Sequence, residues 1–227
     1  IVQRQPFGGW KKSCFGPGAK AGGPNYVSLF ATWEQSALPT QTAVVSQPVK
    51  ALLVDLSANS EDSAALEAAA GSCALWFGKE FSIEHDPTQL TGETNHFRYV
   101  PLKRLLVRAD GMTETELAVV LLAAKTAGVT VDVSSSKALE IAGANVTVES
   151  NGALAKRLVD VAAQYGSLRA PGADETLRRA ANDAALQLVD WKVLLNGRIE
   201  LTHYFREQSI SECTHRYGNT IPKPHEC

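Results

Sequence analysis

From Arg104 onward, short apolar runs alternate with amphipathic stretches, and this rhythm organises most of the chain. Leu105-Leu-Val107 predicts a short buried strand. Thr113-Glu-Thr-Glu116 is a capping box, in which the Thr hydroxyl and the Glu carboxylate each satisfy a free backbone N–H. Leu117, Val120, Leu121 and Ala124 then stripe one face of a helix that Gly128 ends. Val129–Val133 predicts the next strand and Ala144–Val148 another. Asn151 opens a helix with Leu154, Leu158, Val161, Ala162 and Tyr165 on one side and Gly166 after it. Leu168–Ala170 is a brief strand, Asp174 caps a helix running to about Gln187, and Val189–Leu195 is a strand. Strands separated by helices of this length predict an α/β class with a Rossmann-like parallel sheet and right-handed crossovers.

Before Arg104 the pattern is weaker. Lys50–Leu56 fits a short strand or a turn of helix, since an apolar run of that length does not discriminate. Ser60 can cap a helix whose first turn holds Glu61 and Asp62, continuing through Leu66, Cys73, Leu75 and Phe77 to about Gly78. Residues 84–103 read as irregular or extended, with a turn at Thr91–Asn95. Near the end, Leu195-Asn-Gly-Arg198 between apolar runs is a hairpin signal. Leu201, Tyr204, Phe205 and Gln208 have helical spacing instead, which favours a short helix at 198–207 and then a strand at Ile210–Arg216. No internal repeat is visible.

The first thirty residues have a different texture. They are rich in Gly and Pro and show no hydrophobic period, yet Phe7, Trp10, Phe15 and Tyr26 are spaced through them. Flexible linkers seldom carry that many aromatics, so an ordered loop is expected. Residues 34–49 are polar, hold Pro39 and Pro48, and read as a linker with a boundary near residue 45.

Gln5-Pro-Phe-Gly-Gly9, Ser13 and Gly16-Pro-Gly-Ala-Lys-Ala-Gly-Gly-Pro-Asn-Tyr26 together resemble the last active-site loop of aldehyde dehydrogenases that oxidise glutamate semialdehyde. More narrowly, they resemble the dehydrogenase half of the bacterial proline utilization A family. Asn196-Gly-Arg-Ile-Glu-Leu, Arg206-Glu-Gln-Ser-Ile-Ser211 and His215-Arg-Tyr-Gly-Asn219 are similar to the C-terminal end of its longer members. The resemblance implies a bifunctional parent that oxidises proline with FAD and the resulting semialdehyde with NAD. It implies that residues 1–33 end the aldehyde dehydrogenase domain. Residues 50–227 would form a Rossmann-like domain, similar to a dehydrogenase NAD domain but without its function, with a docking tail at 198–219. In longer members that domain is thought to cover the dehydrogenase and help wall off the cavity through which the intermediate passes.

Phe7 matches the phenylalanine that packs on the aliphatic part of the semialdehyde in that family, so it is the expected substrate contact. No catalytic residue is expected in this chain, because the family's nucleophilic cysteine, water-activating acid and NAD-binding segments belong to a region before Ile1. Gly16-Pro-Gly18-Ala-Lys-Ala21 matches the letters of a dinucleotide fingerprint. It lacks the strand before it and the helix after it that would place a pyrophosphate on a helix N-terminus, so no cofactor site is expected there. Nor does an acidic residue follow the strand at 129–133 to hold a ribose.

Composition narrows the classes further. A formal charge of -2 gives no long-range attraction for nucleic acid. No apolar run is long enough for a membrane span. Cys14, Cys73, Cys213 and Cys227 form no C-x-x-C pair, and they read as reduced thiols in a cytoplasmic protein. The five histidines make no metal-binding pattern. Expected partners are the rest of the same polypeptide and possible further copies of the chain. The alternative reading makes the α/β domain an independent nucleotide- or metabolite-binding regulatory module.

Overall fold

The computed structural model describes residues 6–9, 13, 18–58, 60 and 62–213. The Rossmann-like expectation holds. Five strands form a fully parallel sheet: β2 (Arg104–Arg108), β3 (Thr130–Ser135), β4 (Asn145–Val148), β5 (Ser167–Arg169) and β6 (Gln187–Val189). Their order is β4-β3-β2-β5-β6. The chain therefore winds outward from β2 in one direction, then returns to β5 and winds in the other, as in a doubly wound fold.

Alternation along the strands divides the core. Leu105 and Val107 join one cluster with α1 (Gln47–Ser57), α2 (Ser63–Trp76) and α3 (Glu114–Ala127). Leu106 and Leu168 face the other way, toward α4 (Asn151–Val161) and α5 (Glu175–Asp183). The Thr113–Glu116 capping box forms as read, and α3 ends at Gly128 in the left-handed region. Ser150 and Asp174 accept hydrogen bonds from the first turns of α4 and α5.

Several boundaries differ from expectation. Lys50–Leu56 is helical, because Pro48 sits at the first turn of α1, where its missing N–H costs nothing. The next helix is capped at Asp62 rather than Ser60, and past Trp76 it widens into a π-helical turn, Phe77–Phe81. Helix α5 stops short of Gln187, since Ala185 takes a positive φ of 52° and turns the chain out. Strand β6 therefore lies earlier than the expected Val189–Leu195, and residues 190–196 form a loop.

The Asn-Gly pair at 196–197 makes no hairpin. Asn196 caps a short helix, α6 (Gly197–Glu200), which continues as a 3-10 turn to Tyr204. A Cβ on Gly197 would fall 2.6 Å from backbone atoms of Cys73, so glycine here serves close helix packing rather than a turn.

A separate antiparallel ribbon pairs β1 (Glu93–Pro101) with β7 (Phe205–Cys213), from Glu93 opposite Cys213 to Pro101 opposite Phe205. The last strand thus begins five positions before the expected Ile210, and residues 214–216 lie outside the described residues. An aromatic cluster roots the ribbon in the body: the Phe81 ring centroid lies 4.6 Å from Tyr99 and 5.1 Å from Phe205.

Candidate functional site

Two places matter: the carboxyl ends of the parallel strands, where doubly wound folds bind ligands, and the ribbon, where the two motif-bearing stretches meet.

In such folds the ligand crevice opens where the winding reverses, here between β2 and β5. The loops after these two strands are in direct contact. A Cβ on Gly111 would collide with the carbonyl oxygen of Pro171, so the two backbones close the crevice between them. Arg108, 4 % exposed, crosses under the end of β3 and donates to Ser134 Oγ at 2.7 Å and to the Glu149 carbonyl at 2.8 Å. Asp110 pairs with Arg108 and accepts from the Ser136 amide at 3.0 Å and its hydroxyl at 2.6 Å. Burial alone would raise the Asp110 carboxyl, but the Ser136 bonds and the Arg108 charge outweigh it and hold it below its ordinary value. Protein groups thus take the places that a glycine-rich turn and a ribose-binding acid fill in a dinucleotide site.

The second place lies against the ribbon. Phe7 and Ala21 exchange backbone hydrogen bonds at 3.0 and 2.8 Å, folding the loop back on itself. That loop then lies on the ribbon: Ser209 Oγ donates to the Pro6 carbonyl at 2.8 Å. Asn25, 5 % exposed, is the hub. Its Nδ2 donates to Glu207 Oε1 at 2.8 Å and to the Tyr99 hydroxyl at 3.0 Å, while its Oδ1 accepts from Arg198 at 2.7 Å. The Lys20 amide donates to Glu207 Oε2 at 2.5 Å. Glu80, delivered by the π-helical turn, accepts from the Tyr99 hydroxyl at 2.5 Å and lies 3.7 Å from Arg198.

Burial raises the Glu207 carboxyl above its ordinary value, and the bonds from Lys20 and Asn25 only partly offset it. Burial also raises Tyr99, with the Glu80 hydrogen bond acting in the same direction. Every polar group at this junction is engaged in holding another, so the arrangement is a fastening. Beside it, among Asn25, Trp191, His203 and Glu207, lies a cavity of about 30 Å³, room enough for a water molecule.

Phe7 stands apart from this network. Its ring is 70 % exposed, as are Val27 at 78 % and Phe30 at 77 %, so the loop presents an apolar face outward. A cleft of about 480 Å³ lined by Pro6, Pro24, Tyr26, Pro87 and Phe97 adjoins it. The fingerprint-like Gly16-Pro17, Cys14, Cys227 and the 214–219 end of the expected tail lie outside the described residues. Cys73 is fully buried and its thiol is pushed up by burial, which leaves it inert as a nucleophile. Among the described residues no His/Cys/Asp/Glu group has the makings of a metal site, and no helix is long and apolar enough to cross a membrane.

Neither a protein-family model nor a curated protein sequence matches the chain. Solved structures do. The chain is similar to a region of proline utilization A (PutA) from Corynebacterium freiburgense, at 35 % identity and a TM-score of 0.67 over 96 % of its own length. It spans 20 % of that structure's chain. The fold is PutA-related.

Proposed function

We propose that this chain is the C-terminal part of a bifunctional proline-catabolic enzyme of the PutA type, and that residues 50–227 act in it as a non-catalytic cover. The parent oxidises proline with FAD and then the glutamate semialdehyde with NAD, both cofactors being held by other parts of the polypeptide. The observation that carries the reading is the network around Asn25. The two stretches that resemble the family, at the two ends of this chain, are fastened to one another by Asn25, Glu207, Arg198 and Lys20. A Rossmann-like body is thereby hung on the loop that carries the presumed substrate contact, Phe7.

The body supplies shape rather than chemistry. Acyl-transfer chemistry of the dehydrogenase kind needs a nucleophile, a base and oxyanion donors brought together, and the described residues hold no such set. Arg108, Asp110 and the Gly111–Pro171 contact lie at the switch point of the sheet, which supports a body that takes no pyrophosphate there. What remains is a rigid wall placed beside the loop. Such a wall would keep a reactive, hydrolysable aldehyde from leaving before it is oxidised, and the outward faces of Val27 and Phe30 would pack on the dehydrogenase domain while Phe7 meets the substrate.

Titration calorimetry of NAD into this chain tests the point. The cover reading predicts no heat of binding up to millimolar ligand. Saturable binding would displace it in favour of a nucleotide-binding regulatory module, with the ends of β2 and β3 as its site.

A further inference from the structure

The crossover from β3 to β4 has no helix: residues 136–144 join two parallel neighbours as irregular chain. Such connections usually take a dozen or more residues and a helix, which covers the sheet beside it. Here part of that cover is α1, whose Leu52 side chain sits against Gly143. Beside it a groove of about 1030 Å³ stays open. Leu56, Leu117, Leu139, Ile141 and Val146 give it an apolar floor, and Asp55, Asp62, Glu114 and Glu140 stand along it. No Lys or Arg is among its described lining residues.

Local structure accounts for two of these four carboxylates. Asp62 is the N-cap of α2 and accepts from the Thr115 hydroxyl at 2.7 Å, and Glu114 lies in the first turn of α3. Both therefore sit at the favourable end of a helix dipole. Asp55 and Glu140 have no such reason. Asp55 is in the last turn of α1, where the dipole disfavours a negative charge, and Glu140 is in the irregular crossover. Neither makes a hydrogen bond or ion pair with another described residue. The fold tolerates two unneutralised charges beside a partly exposed apolar floor.

We propose that this groove docks a basic segment of a partner protein, with aliphatic side chains on Leu139, Ile141 and Val146 and Lys or Arg side chains against Asp55 and Glu140. The complementarity is of both kinds: apolar surface to cover and negative charge to meet. The role goes beyond the cover function, since it lies on α1, α3 and the β3–β4 crossover rather than at the ribbon.

The test is fluorescence anisotropy at low salt with the full chain and a short labelled peptide alternating lysine with leucine. Two double variants are compared with the unaltered chain. Asp55→Asn with Glu140→Gln neutralises the groove; Asp160→Asn with Asp183→Asn makes the same change in net charge on α4 and α5, across the sheet. Loss of two exposed charge pairs predicts about five- to tenfold weaker binding for the groove variant, and less than about twofold change for the control. A peptide with serine in place of leucine is expected to bind at least tenfold more weakly. Equal weakening by the two double variants would overturn the proposal, as would undiminished binding of the serine peptide or no binding of the leucine peptide.

Discussion

Asn25 Nδ2 donates to Glu207 Oε1 at 2.8 Å across 182 residues of sequence, and the pair is buried. A buried amide that loses its partners costs more than the bond itself, because the stranded groups stay desolvated. Asn25→Ala leaves Glu207, Tyr99 and Arg198 each short of one bond. The expected loss is roughly 1–3 kcal/mol in urea denaturation, with faster amide hydrogen exchange across residues 18–30. Asn25→Asp is expected to be worse, since it sets a second carboxylate against Glu207. Unchanged exchange in that loop would mean the network does not fasten it.

Arg169 and Glu200 are both fully buried, with the guanidinium 3.2 Å from each carboxylate oxygen. Glu200 also accepts from the Tyr204 hydroxyl and the Leu194 amide, each at 3.0 Å, while Arg169 reaches the Val189, Trp191 and Lys192 carbonyls. Together they tie α6 to the end of β5. Glu200→Ala strands a buried cation, so a loss of about 3–5 kcal/mol is expected in guanidinium denaturation. Glu200→Gln keeps acceptors for Leu194 and Tyr204 and is expected to cost less. Equal losses for the two would show that the missing charge, and not the acceptors for Leu194 and Tyr204, accounts for the whole effect.

His203 sets an acid limit. It is 5 % exposed, its Nδ1 has no partner among the described residues, and burial, with the nearby Arg169 charge, lowers its pKa well below the ordinary value. The native state keeps the ring neutral while the unfolded chain takes up a proton near pH ~6.5. The unfolded state then binds more protons, so stability falls as pH drops below that point, by up to about 1.4 kcal/mol per pH unit. His203→Phe is expected to flatten this limb in denaturation midpoints measured between pH ~7 and ~5. An unaltered slope would assign the acid sensitivity elsewhere.

The parallel sheet was legible because each strand–helix unit carries its own signals: a capping box at Thr113, Gly128 after α3, Asp174 before α5. Sheet boundaries slipped where the deciding feature was a single backbone angle, as at Ala185, or a close approach, as at Gly197. The ribbon was not legible. Its strands lie before and after the body in sequence, and although Asn95, Phe97 and Tyr99 alternate inward along β1, the polar run at Thr91–Asn95 reads as a turn and hides that alternation. The motif stretches already contained Asn25, Arg198 and Glu207, yet nothing in their spacing says that they touch. The Arg108–Asp110 plug was hidden for the same reason. Sequence shows the missing glycines but not the side chains that take their place.

Gly197 offers a sharper check of packing. Gly197→Ala places a methyl against the Cys73 backbone, and α2 and α6 must separate to admit it. Overpacking of this kind costs about 1–3 kcal/mol, read from a lowered melting temperature. An Asn-Gly turn at this position would tolerate alanine differently, since its strain would come from φ rather than from α2. Gly197→Ala combined with Ser72→Ala tests this. The hydroxyl of Ser72 accepts from the Gly197 amide at 2.9 Å, so the two changes are expected to be strongly non-additive.

The most direct measurement of the cover role is the time course of NADH formation from proline in the full-length bifunctional enzyme, with and without Glu207→Ala. Semialdehyde added directly is the control for the dehydrogenase step. If the body encloses the passage and the Asn25–Glu207 junction fastens it there, the variant oxidises added semialdehyde at close to the native rate. Starting from proline, it shows a lag that the native enzyme lacks, as intermediate escapes and must return from solution. A variant that produces NADH from proline without a lag, despite a body released from the loop, would contradict the account.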